Sequence, residues 1–167
     1  MSQVVQSRIW ADVIGQPIGT EKAYCPPGRR TGMGSCTFCE IAAGERDAHL
    51  LYETEHAVAF LDKNPAVRGH TLVAPKGHHE YLLRGDPSTA TAVVETVQQV
   101  AEGLDRALHP DGVSVFYTSA DIAGQITHAH VHLLPRDVDD DVRIALPRTK
   151  LDHDEAAQLT ARVREHL

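Results

Sequence analysis

The sequence lacks two features that would place the chain in or across a membrane. No apolar run approaches the roughly 18–20 residues of a membrane-spanning helix, and the first residues show no basic start followed by a long apolar stretch. We therefore expect no membrane partner, no secretory signal peptide and a cytoplasmic location. Cysteine is also scarce, with three residues in 167. Such a small, odd number does not make the disulfide framework of a small secreted domain.

Basic residues are outnumbered by acidic ones. The chain has 16 Lys and Arg against 23 Asp and Glu, which gives a formal net charge of −7. A protein that binds a nucleic-acid backbone needs a basic face, so we expect no nucleic-acid partner. A small anionic ligand remains compatible with this charge, because a local site can be positive on an acidic protein.

Glycine and proline are concentrated in residues 1–35. Such a density is typical of turns and loops rather than of helices and strands. This zone is predicted to be an N-terminal extension. The remaining chain is long enough for one domain with its own core, and we expect that domain to span residues 36–150. A C-terminal helix follows within residues 151–167.

Local patterns predict both strands and helices. An apolar stripe at intervals of three or four predicts a helix over residues 88–108, with Asp86 as N-cap and Pro87 at its first position. Asp152 and Glu155 form the start of a last helix. Short apolar runs bounded by turn signals predict strands over residues 50–53, 57–61, 71–74, 113–117 and 128–134. This order predicts an α+β fold with about five mostly antiparallel strands and two main helices.

The most informative stretch is the last predicted strand, in which histidine alternates with apolar residues. Successive strand side chains point to opposite faces, so His128, His130 and His132 are predicted to share one face while the residues between them pack on the core. Imidazoles in a row can bind a metal ion, or they can attack and stabilise a phosphorus centre. The alternatives are a chance repeat and a merely solvated polar strand face.

This stretch, with Gly124-Gln125 before it and a Leu-Pro-Arg sequence after it, resembles the histidine triad (HIT) family of nucleotide-binding proteins. Two further segments are similar to the family's opening segment and to its middle strands and turn: residues 36–45 and residues 57–78. The three motifs occur in the family's order and cover about residues 36–136. The resemblance implies a HIT-like α+β fold, usually a homodimer, that binds a purine nucleotide or a nucleotide conjugate.

The resemblance also implies a reaction at the α-phosphate. His130, the middle histidine, corresponds to the nucleophile that forms a transient nucleotidyl-imidazole, which water then hydrolyses to release a nucleoside monophosphate. Such an intermediate divides one difficult displacement into two easier ones. His132 would contact the phosphate or help the leaving group, and His70 would orient the triad from behind. The substrate would be a nucleoside phosphoramidate, an adenylate or a dinucleoside polyphosphate.

Nucleotide-binding residues follow from the same resemblance. Asp62 corresponds to the residue that binds the ribose hydroxyls, although a carboxylate at this place could equally cap its own turn. Three apolar residues correspond to the lining of the base pocket, and they could equally be plain core: Phe38, Ile41 and Leu72.

The loop before the triad departs from the family's pattern. Only Ile126 and Thr127 separate Gly124-Gln125 from His128, one residue fewer than usual. Gln125 and Thr127 are therefore the candidates for phosphate contacts in a reshaped loop. This change keeps a nucleotide-binding module with little turnover as an alternative to a hydrolase. A nucleotidyltransferase is a further alternative, which would suit the unusual N-terminal extension.

Four residues match the pattern of zinc-carrying bacterial members of the family: Cys36, Cys39, His78 and His128. Two thiolates and two imidazoles make a closed tetrahedral shell of the structural type. The Cys-x-x-Cys pair alone is a weak signal, and free thiols or a redox pair are the alternatives. His79 could replace its neighbour as a ligand, and Cys25 has no partner in this scheme.

Overall fold

The computed structural model describes residues 36–119, 126–143 and 145–167, so the predicted N-terminal extension lies outside the described residues. Five strands form one sheet in the order β1-β2-β3-β5-β4, and every neighbouring pair is antiparallel. The strands are β1 (Leu50–Glu53), β2 (Ala57–Leu61), β3 (Thr71–Pro75), β4 (Gly112–Tyr117) and β5 (Val131–Arg136). The helices are α1 (Thr37–Ala42), α2 (Pro87–Leu108) and α3 (His153–Arg164). The α+β prediction is confirmed.

Helix α2 covers one face of the sheet. Its N-cap is Asp86, whose carboxylate accepts a hydrogen bond from the Ser88 backbone N–H at 2.9 Å, as predicted. It ends at His109, whose positive φ of 52° breaks the helical path. The apolar stripe of α2 packs on inward-facing residues of the central strands, among them Val73 and Leu133, which are fully buried.

Helix α1 covers the opposite face. Phe38 and Ile41 point from α1 onto Val58, Phe60 and the residues beside them on β3. Because β2 and β3 lie between α1 and α2, nearly all their side chains are buried on both faces. The sheet therefore separates two apolar clusters, and the triad histidines lie on the α1 side.

The last strand begins later than predicted. We expected a strand over residues 128–134, but β5 begins at Val131, so His128 to His130 precede it as irregular chain. The register of β3 and β5 would put Ala129 opposite Pro75. Proline has no N–H to donate to the ladder. Instead, the Ala129 N–H donates to the backbone carbonyl of His79 at 2.6 Å, and regular pairing stops.

Helix α3 lies outside both clusters. Its N-cap Asp152 accepts a hydrogen bond from the Glu155 N–H, as the sequence predicts, but none of its residues is buried. The boundary between the main domain and this helix therefore stays a prediction. Among the described residues, no helix has the length and apolar character needed to cross a membrane. The cytoplasmic location and the lack of a nucleic-acid partner also stay predictions.

Candidate functional site

Two cysteines and two histidines converge between α1, the turn after β3 and the chain before β5. The Sγ atom of Cys36 lies 3.4 Å from Nδ1 of His128. The Sγ atom of Cys39 lies 3.4 Å from Nδ1 of His78 and 3.6 Å from Nδ1 of His128. All four ligand atoms lie within 4.8 Å of one another. Because Cys36 caps α1 and Cys39 is three residues further, one turn of helix brings both thiols to the same side.

The tautomer of His128 fits the role of a metal ligand. Its Nε2 lies 2.8 Å from the backbone carbonyl of Pro75, which can only accept a hydrogen bond, so Nε2 carries the proton. Nδ1 therefore has its lone pair directed at the two sulfurs. Burial lowers the pKa of His128 to about 4, with smaller lowering effects from neighbouring histidines, so the ring is neutral at pH 7. Two thiols and two imidazoles so arranged are the donor set of a structural zinc site.

The structure distinguishes between the two adjacent histidines that the sequence offers as ligands. His78, rather than the alternative His79, is the ligand that the structure brings to the cysteines. The backbone carbonyl of His79 instead accepts the hydrogen bond from Ala129. Cys25 lies outside the described residues.

His130 presents a free lone pair beside this cluster. Its Nδ1 lies 2.8 Å from the backbone carbonyl of His128, so Nδ1 is the protonated nitrogen and Nε2 is not. The ring is nearly buried and meets the ring of Phe38 edge-on, with centroids 5.0 Å apart. An imidazole held in this way has the unprotonated nitrogen that a nucleophile needs.

His132 carries its proton on Nε2 instead of Nδ1, because of a hydrogen bond from His70. The Ala66 N–H donates to Nδ1 of His70 at 3.2 Å, so His70 is protonated on Nε2. That N–H donates to Nδ1 of His132 at 2.9 Å, which leaves His132 with its proton on Nε2. The centroids of the His130 and His132 rings are 4.9 Å apart. A lone pair on one imidazole and an N–H on the other are therefore presented side by side.

Burial controls the charge of His132 and His70. It lowers the pKa of His132 to about 4, aided by His130 and His70 and opposed by Asp62. Burial also lowers the pKa of His70, again against the attraction of Asp62, whose Oδ2 lies 3.7 Å from His70 Nδ1. These three side chains have ligand-type atoms close together. The hydrogen bonds described above already use both nitrogens of His70, so the group has poor metal-binding chemistry.

The predicted nucleotide-binding residues have structural partners as well. Asp62 accepts a hydrogen bond from the Asn64 N–H at 2.8 Å, so it caps its own turn, as the alternative interpretation expected. Phe38, Ile41 and Leu72 are 6, 7 and 6% exposed and share one apolar cluster under the triad. Thr127 is exposed just before His128, and Gln125 lies outside the described residues.

Sequence reasoning missed one side chain of the site. Phe116, on β4, lies flat against His132, with ring centroids 4.6 Å apart and an angle of 11° between the planes. The strand that carries Phe116 is predicted correctly. Its pairing with β5, which puts Phe116 directly opposite His132, follows only from the register of the folded sheet.

The low pKa of His132 predicts a dependence of stability on pH. As the pH falls through about 6.5, the unfolded chain takes up a proton on this histidine, whereas the folded protein does so only near pH 4. This contribution to the free energy of unfolding is therefore complete above pH 6.5 and is lost between pH 6.5 and 4. Urea denaturation of the metal-free protein across this range measures the loss.

Matched variants separate this effect from other titrations. His132→Gln should have a shallower decline of stability than the wild type, because glutamine does not titrate. His56→Ala, which changes an exposed histidine, should follow the wild type. Equal slopes for all three proteins would contradict the assignment.

Comparison with known proteins gives consistent matches. The sequence profile of the HIT domain matches residues 43–139. Adenylylsulfatase HINT3 of Arabidopsis thaliana is 34% identical over 141 residues, covering 82% of this chain and 72% of that protein. Adenosine 5'-monophosphoramidase HNT1 of Saccharomyces cerevisiae is 32% identical over 127 residues, covering 75% of this chain and 78% of that protein.

A solved structure is similar in fold and is described as holding zinc. It is the Zn-bound histidine triad family protein of Mycobacterium smegmatis, with a TM-score of 0.61 and 32% sequence identity. The alignment covers 80% of this chain and 98% of that one.

Proposed function

Because the chain belongs to the HIT domain family, we propose that it is a hydrolase that cleaves a nucleotide conjugate at the α-phosphate and releases a nucleoside monophosphate. The observation that carries this proposal is the paired tautomers of His130 and His132, which present a lone pair and an N–H that form no hydrogen bond with the described residues. Further support comes from two relatives named for the cleavage of adenylyl sulfate and of an adenosine phosphoramidate.

The chemistry follows from the roles of the two nitrogens. Nε2 of His130 attacks the α-phosphorus, a P–N bond forms, and the bond to the leaving group breaks with its electron pair on the leaving group. Nε2–H of His132 donates a hydrogen bond to the negative charge that develops on the phosphoryl or leaving-group atom. Water then attacks the phosphorus of the nucleotidyl-His130 intermediate, and the P–N bond breaks with its electron pair on Nε2, which regenerates the histidine. The proton that the water loses to solvent balances the one that the leaving group takes up.

The nucleotide would lie against the α1 side of the sheet. We propose Asp62 for the ribose hydroxyls, because the Asn64 N–H fixes its carboxylate beside His70, at the triad. A carboxylate oxygen can accept a further hydrogen bond from a hydroxyl. We propose the apolar cluster of Phe38, Ile41 and Leu72 for the base, because the ring of Phe38 already contacts His130. Thr127 and Gln125 stay predicted phosphate contacts.

Replacing the nucleophile tests the proposed hydrolase. His130→Ala should lower kcat for the release of AMP from an adenosine phosphoramidate or adenylyl sulfate by about a thousandfold or more, because the covalent step is lost. AMP release is followed by chromatography. His56→Ala, at an exposed turn between β1 and β2, is the matched control and should keep full activity.

Two outcomes would count against this function. Undiminished turnover in His130→Ala would refute the nucleophile. If the wild type turns over no such conjugate but binds AMP with micromolar affinity, the protein is a nucleotide-binding module instead. Transfer of the nucleotidyl group to a second substrate, without hydrolysis, would favour the transferase.

We also propose that Cys36, Cys39, His78 and His128 hold one structural zinc ion. The donor chemistry and the Nδ1 lone pair of His128 support it, and a related family member is described as Zn-bound. A zinc ion at this place would link the start of α1 to the chain segment that carries His130. It would act as a cross-link and leave the chemistry at phosphorus to the histidines.

The zinc proposal predicts a metal content and a difference between cysteines. Elemental analysis of the purified protein should find close to one zinc per chain. Cys36→Ser should lower the thermal midpoint more than Cys25→Ser, because only the first removes a ligand and metal binding contributes to folding. A zinc-free protein with three freely titrating thiols would disprove the site.

We further propose that the protein is a homodimer that pairs through β4. Strand β4 is an edge of the described sheet, and Val115 is 52% exposed on it. Exposed edges are surfaces that proteins usually cover. Light scattering should give the mass of two chains, and Val115→Lys should shift it towards one chain. A wild-type mass of one chain would contradict this proposal.

A further inference from the structure

We infer that Phe116 is a positioning residue that holds the imidazole of His132 in its productive orientation. The inference rests on the proposed function, because it assigns His132 a task at the phosphate. It starts from the parallel stacking of the two rings, whose centroids are 4.6 Å apart with planes 11° from parallel. Phe116 and His132 are direct cross-strand partners in the antiparallel register of β4 and β5.

The hydrogen bond from His70 cannot orient His132 by itself. It holds Nδ1 at 2.9 Å, but the ring can still rotate through the χ1 and χ2 torsions of His132 while that hydrogen bond bends. Such a rotation would swing Nε2–H out of line with the lone pair of His130. The flat face of Phe116 restricts this motion. If His132 tilts away, the stacking contact is lost, and if it tilts towards Phe116, the two rings clash.

Together these contacts enclose the ring of His132 on three sides. Phe116 covers one face, His70 takes Nδ1, and His130 lies alongside with centroids 4.9 Å apart. The Nε2–H edge has no such partner among these three residues. The N–H that we assign to the phosphoryl or leaving group is therefore the part of the ring that the contacts leave for a ligand.

The environment of Phe116 favours positioning over ordinary core packing. Phe116 is 38% exposed and lies on an edge strand. It belongs to neither of the two apolar clusters formed by the described buried residues. Its defined contact is the stack on His132, and a phenyl ring brings no proton or charge to the site. It supplies a flat surface on which the imidazole of His132 stacks.

Three variants test the inference. Phe116→Leu keeps apolar bulk but removes the flat face, so kcat for AMP release should fall about 10- to 100-fold with little change in KM. Phe116→Tyr keeps the stack and should restore kcat to within a few-fold of the wild type. Val94→Leu, an exposed position of α2 on the far side of the sheet from the triad, is the matched control and should leave kcat unchanged. Light scattering and thermal melts of each variant check assembly and folding.

A second readout does not depend on activity. In ¹⁵N NMR spectra of the wild type, His132 should show one neutral tautomer, protonated on Nε2. In Phe116→Leu the loosened ring should weaken its hydrogen bond from His70, which fixes the tautomer, so we expect this signal to broaden or to shift towards a mixture of tautomers. In Phe116→Tyr the signal should return. A merely structural role for Phe116 would not move the His132 tautomer in a folded variant.

Several results would overturn the inference. One is wild-type kcat in Phe116→Leu, and another is an unchanged His132 signal in that variant. A third is a loss of activity that Phe116→Tyr does not reverse. A wild type that releases no AMP would instead refute the proposed function, and the NMR comparison would still decide whether Phe116 orients His132.

Discussion

The backbone carbonyl of Pro75 accepts a hydrogen bond from Nε2 of His128, and the arrangement of the site depends on this contact. It places the proton of His128 on Nε2, so Nδ1 faces the two cysteine sulfurs. It also holds the residue whose own carbonyl accepts the Nδ1–H of His130. The carbonyl of Pro75 thus sets the tautomer of His128 beside the cysteines, and the carbonyl of His128 sets that of His130 at the reacting position.

Hydrogen bonds also fix the tautomers of the histidines on the other side of the triad. A backbone N–H from Ala66 sets the tautomer of His70, and His70 sets that of His132. Backbone groups have fixed donor or acceptor character, so they orient imidazoles that could otherwise exchange between two neutral forms. Burial lowers the pKa values of His128 and His132 to about 4 and keeps both rings neutral. The proposed chemistry therefore uses directed lone pairs and N–H groups rather than charge.

Local patterns predicted the five strands and the two longer helices, but they missed the six-residue helix α1 and misplaced the start of β5. The long helix was predicted with its cap, since Asp86 and Pro87 act through their nearest neighbours alone. The alternation of histidine with apolar residues correctly brought the three rings to one side, but it extended β5 by three residues. The period of two describes which way side chains point, whereas a strand also needs backbone partners. Continuing the register of β3 and β5 would put a proline opposite Ala129, and the Ala129 N–H bonds to His79 instead.

The sequence by itself determined the family, the order of the strands and of the two longer helices, and the histidines and cysteines that the fold brings together, because these depend on residue types and spacings along the chain. Only the tertiary structure decided which nitrogen of each histidine carries the proton, that His78 rather than His79 faces the cysteines, and that Phe116 stacks on His132. These features depend on contacts between segments far apart in the chain. Spacing along a single strand carries no information about the register or the carbonyl that the next strand presents.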